Sequence, residues 1–262
     1  MASRGNDTRA ALRRWARLLT FRATREELAA WTNTDLLLGL AGTWLVGMGR
    51  WWDDPGASPW QHVGLGSLVY VFVLAALLWA VIAPLQPQDW RYSHVLTFVA
   101  LTSLPGLVYA VPVERFYDLA TARSWNVYFL AVVAAWRVAL LWFYMARHAR
   151  LERPRTTVGC LLPLSAIVAT LTALNLERAV FEVMGGLSDN PTAADDAYAV
   201  LVLLSGLAYV SFVPLTVGYL LLVLSDYRAG RRTHPTAQIL ALTLGSLVLL
   251  VLLVWLLGAY FS

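Results

Sequence analysis

The sequence predicts an all-α, polytopic transmembrane helix bundle of about seven spans. Three observations predict it: the composition, the spacing of the apolar stretches and the placement of the arginines. Of 262 residues, 59% are hydrophobic and 14% charged, and the mean hydropathy is +0.60. A soluble domain runs near about 45–50% apolar and about a quarter charged, so the main solvent here is lipid. Apolar segments take up almost the whole length, leaving no room for a separate soluble domain. The net charge of +4 would suit nucleic acid. The basic residues, however, fall between apolar segments instead of forming one face, so no nucleic-acid partner is expected. A single cysteine, Cys160, excludes an internal disulfide or a cysteine zinc site.

Two regions follow. Residues 1–34 form a basic, amphipathic, cytoplasmic segment, and residues 35–262 the transmembrane domain. The first 30 residues lack a continuous apolar core, so a removable signal peptide is not expected. Within the segment, Leu12, Trp15 and Leu19 lie at helical spacing among Arg9, Arg13, Arg14 and Arg17. This pattern predicts a surface helix on anionic lipid. Thr24 and Glu27 have capping-box spacing for a second short helix. These helices serve as a topology signal and anchor, or as a docking surface for a protein partner.

A spanning helix needs about 20 mostly apolar residues, because backbone polar groups cannot stay unpaired in lipid. Stretches 35–52, 62–85, 93–112, 125–145, 158–184, 197–224 and 237–261 qualify. All 20 basic residues are arginine. With the N-terminus cytoplasmic and the C-terminus outside, fifteen arginines fall inside: Arg4, Arg9, Arg13, Arg14, Arg17, Arg22, Arg25, Arg91, Arg147, Arg150, Arg153, Arg155, Arg228, Arg231 and Arg232. Only Arg50, Arg115, Arg123 and Arg178 fall outside. That bias is the positive-inside rule, and it supports a multi-pass protein of the plasma (inner) membrane. Trp51, Trp52, Trp60 and Trp125 mark the outer boundary, and Trp90 and Trp142 the inner one.

Asp35 opens the first span after Thr32, Asn33 and Thr34, where a carboxylate caps the helix and complements its dipole. Gly39, Gly42 and Gly49 share a face of that span and suit close helix contact. Pro105, Pro163 and Pro214 interrupt other spans, each expected to bend its helix.

Arg137 is the residue that topology leaves over. It lies twelve residues after Trp125 and ten before Arg147, near mid-membrane and too deep to reach either surface easily. An ionisable group there faces the bundle interior or water. Asn175, Glu177, Arg178 and Glu182 in the fifth span are its candidate neighbours. The predicted polar cluster is therefore Arg137, Asn175, Glu177 and Arg178. One reading makes it an arginine–carboxylate clamp that sets helix packing. The other makes it a water-accessible pocket for an anionic ligand.

His62, His94, His148 and His234 show no metal-ligand spacing, so no metal is expected. The zinc-protease H-E-x-x-H and serine G-x-S-x-G patterns are absent, and no catalytic residue or cofactor is assigned. Three functions remain. The first is a small transporter or channel for an anionic solute, and the second a non-catalytic structural or regulatory membrane protein. The third is a lipid-modifying enzyme using Glu114, Arg115 and Asp118 with Glu177 and Arg178.

Overall fold

A computed structural model describes residues 2–48, 63–173 and 194–230. The described residues are helical, with no strand among them. In chain order the helices are α1 (Ala2–Leu19), α2 (Arg25–Ala29), α3 (Asn33–Met48), α4 (Leu65–Ile82), α5 (Tyr92–Leu101), α6 (Leu119–Arg147), α7 (Arg153–Ala173) and α8 (Ala194–Arg228). Short 3₁₀ turns follow α4 and α5, at Ala83–Leu85, Leu104–Ala110 and Val113–Arg115.

Four stretches are long and apolar enough to cross a membrane: Leu65–Leu85, Ser124–Arg147, Arg153–Thr172 and Leu203–Arg228. They correspond to the second, fourth, fifth and sixth predicted spans. Their outward faces carry Val69, Val73, Leu203, Leu207, Val210 and Leu221, all strongly exposed. Apolar residues all round a helix need lipid on the side that protein leaves bare. The first predicted span is represented by α3, of 16 residues. The third is α5 with the 3₁₀ turn after it. The seventh, 237–261, lies outside the described residues.

Packing follows residue size. A Cβ on Gly39 would stand 2.9 Å from the backbone nitrogen of Leu101, and one on Gly42 would stand 2.5 Å from a Leu104 methyl. Small residues therefore let α3 lie directly on α5, as the glycine stripe predicts; Gly49 lies outside the described residues. Thr43 Oγ1 crosses the same contact to the Ala100 carbonyl. Helices α7 and α8 are joined by hydroxyl pairs, Ser165 with Ser211 at 3.0 Å and Thr172 with Ser205 at 2.9 Å. Tyr219 of α8 donates to the Val81 carbonyl of α4 at 3.0 Å.

Pro163 and Pro214 sit inside α7 and α8, whereas Pro105 does not bend α5. The helix stops at Leu101, and Pro105 helps open the following 3₁₀ turn. Thr102 and Ser103 hydroxyls bond back to the carbonyls of Phe98 and Val99 and satisfy that end.

The N-terminal segment departs from the surface position its sequence suggests. The inward face of α1 is Ala11, Trp15 and Leu18, and Leu12 points outward at 42% exposure. Trp15 donates to the Leu101 carbonyl at 2.9 Å, and Trp136 of α6 donates to the carbonyl of Leu19, the last residue of α1. Trp136 is eleven residues before Arg147, so α1 ends beside the middle of α6, ~16 Å from its end. The capping box forms as expected: Thr24 accepts from Glu27 N, and the Glu27 carboxylate accepts from Thr24 N.

Candidate functional site

Three arginines enter the bundle, and their surroundings differ. Arg155, in the first turn of α7, is buried. It donates to both carboxylate oxygens of Asp226 on α8, at 2.7 Å for Nη2, and to the Leu85 carbonyl at 2.9 Å. Arg14 of α1 forks onto Asp35 at 2.9 and 2.7 Å, and Asp35 also accepts from the backbone and hydroxyl of Thr32. Asp35 is thus the helix cap its position predicts, and a fully buried ion-pair partner as well. Planar forks on carboxylates of this kind are strong and directional.

Arg137 is the third. On α6 the buried residues, among those described, are Ala122, Val133, Leu140, Leu141, Tyr144 and Met145, and His148 just past its end is buried as well. Arg137 is four residues after Val133 and seven before Tyr144, so it shares their inward face. It is half-buried, and among the described residues it makes no hydrogen bond and no ion pair. Its predicted neighbours Asn175, Glu177 and Arg178 lie outside the described residues. Of the other predicted cluster, Arg115 and Asp118 are exposed, and Asp118 accepts from Thr121 at the start of α6. That is a helix-capping arrangement.

No protein-family model, no curated protein and no solved structure matches this chain. The reading of the site therefore rests on its residues.

Two features near the Arg147 end were not foreseen. The first is a cavity of about 450 Å³ lined by Thr24, Arg25, Glu26, Ala146, Arg147 and Arg150. Its charged lining residues are Arg25, Arg147, Arg150 and Glu26, and Arg25 also reaches Asp89.

The second is a buried ring cluster. Tyr144 stacks on Phe98 at 4.5 Å, on His148 at 5.0 Å and on Trp31 at 5.5 Å. His94 completes it, 5.5 Å from His148 and edge-on to Trp31 at 6.3 Å. Trp90, expected only as an interface anchor, packs on Tyr144 and donates to the Trp79 carbonyl. Among the described residues no hydrogen bond of good geometry reaches Tyr144 Oη, His94 Nδ1 or either nitrogen of His148. Leaving such atoms unpaired costs ~1–3 kcal/mol each, so the cluster calls for a use. Burial pushes the His148 imidazole down to about 4, the neighbouring His94 adds to this, and the backbone and carboxylate of Asp89 oppose it.

His94 and Phe98 on α5, and Tyr144 on α6 with His148 just past its end, are both four-residue pairs. That spacing, with histidine in each pair, is the one signal in the sequence that could have pointed here. No group of three metal-ligating side chains is found among the described residues.

Proposed function

We propose that the chain is a seven-span protein of the plasma membrane, N-terminus cytoplasmic and C-terminus outside. In this reading it is a small transporter or channel for an anionic solute. The observation that carries this is the position of Arg137. It faces inward from the middle of a membrane-length helix, yet among the described residues it meets no carboxylate, while Arg14 and Arg155 are each clamped by one. A guanidinium held in that way keeps its five donors for a ligand, and a carboxylate or phosphate matches its fork. Asn175, Glu177 and Arg178 would complete the pocket. The recess among Arg25, Arg147 and Arg150 would gather anions at the inner end.

Purified protein in liposomes, with chloride, acetate and inorganic phosphate as probes, tests this. Flux of at least one probe is expected, reduced tenfold or more by Arg137→Gln and partly kept by Arg137→Lys. A variant that folds and transports like the parent would sink the reading. The two Arg–Asp clamps and the docked N-terminal segment favour a second reading, a non-catalytic structural or regulatory protein. It predicts no flux for any probe and co-purification with a partner through the N-terminal helices.

A further inference from the structure

The ring cluster under the N-terminal segment has a chemistry separate from that of Arg137. His94 comes from α5 and His148 from the turn just after α6, with fully buried Tyr144 beside His148 and Trp31 packed on Tyr144 and His94. Two neutral imidazoles each hold one N–H and one lone pair. A proton taken up by one ring leaves the other neutral, with a lone pair to accept from it, which an isolated histidine lacks.

The charges around the pair are few. Asp89, in the turn before α5, favours a proton on His148, and Arg25 from α2 opposes it; Arg91 of the same turn is the other charge near the pair. Tyr144 is the hydroxyl of the cluster. Asp89 is also the residue that Arg25 reaches, at 3.4 Å, to hold α2 down. One carboxylate therefore serves two competing partners. A charge on His148 competes with Arg25 for Asp89, while Trp31 of the N-terminal segment covers Tyr144 and one side of His94.

We infer that His94 and His148 form a proton-binding site closed by the N-terminal segment, and that uptake of one proton releases the segment around α2 and Trp31. Linkage gives the direction. In the closed state the His148 imidazole is held at about 4, and once hydrated it returns toward 6.5. The proton thus favours the open form across that interval, by up to about tenfold per pH unit. The inference does not depend on transport through Arg137.

Hydrogen exchange on the full chain in maltoside micelles, corrected for the intrinsic pH dependence, reads it directly. Between pH 7.5 and pH 5, amides of residues 21–31 are expected to exchange at least tenfold faster, while those of 95–101 stay protected. In the double variant His94→Gln, His148→Gln the acceleration disappears. Should that variant not fold, His148→Phe fills the stack and is expected to give the same flat profile, and Asp89→Asn to give fast exchange at both pH values. An unchanged 21–31 profile in the parent overturns the inference. So does equal acceleration in the histidine variants, or opening of 95–101 together with 21–31.

Discussion

Arg155 and Arg137 leave neighbouring helices for the interior of one bundle, and they differ in what they meet. Arg155 spends its fork on both oxygens of Asp226 and on the Leu85 carbonyl. Arg137, on the inward face of α6, has neither kind of acceptor among the described residues. A saturated guanidinium ties helices together. An unsaturated one in the same apolar setting is costly, and that cost is sustained where a ligand or a water path uses the charge.

Four measurements bear on that contrast. The largest effect is expected for Asp226→Ala, which strands Arg155 and should cost about 3–5 kcal/mol, seen as a fall in unfolding midpoint or failure to purify as a folded species. Next comes pH. His148 is depressed to about 4 in the folded chain against an ordinary 6.5, so its contribution is complete above pH 6.5. It is lost as pH falls toward 4, because the unfolded chain takes the proton first, by at most about 3 kcal/mol. Unfolding curves of the parent and of His148→Phe should diverge only in that window.

Gly39→Val comes third. Its Cβ would meet the α5 backbone at 2.9 Å, and the crowding should cost about 1–3 kcal/mol in thermal unfolding. The smallest loss of stability is expected for Arg137→Gln, which removes an unpaired charge and should leave the unfolding midpoint unchanged or higher. A loss comparable to that of Asp226→Ala would place Arg137 with the clamps and against the ligand reading.

What the sequence made legible was local or periodic. Runs of apolar residues mark α4, α6, α7 and α8, and Thr24 with Glu27 marks a cap three residues long. Gly39 and Gly42 mark a contact without naming the partner. What stayed hidden depends on which helices are neighbours. Arg155 and Asp226 are 71 residues apart, and positive-inside counting already accounted for Arg155 as a loop arginine. His94 and His148 looked like two unrelated residues near loops, because only the packing of α5 beside α6 makes them a pair. The N-terminal segment misled for another reason. Amphipathic periodicity shows that a helix has an apolar side, and a lipid surface and a protein groove satisfy that side equally.

The bonds from Trp15 to Leu101 and from Trp136 to Leu19 span 86 and 117 residues. Residues of the N-terminal segment thus meet their partners on α6, Trp136, Phe143 and Tyr144, only after roughly half of the chain has been synthesised. At about 5–20 residues per second, α1 waits roughly 6 to 25 seconds between leaving the ribosome and meeting Trp136. Docking of this segment therefore waits on the synthesis of α6, well after the segment itself has left the ribosome. During the wait, the seven arginines of residues 4–25 are exposed to any chaperone or anionic lipid that reaches them.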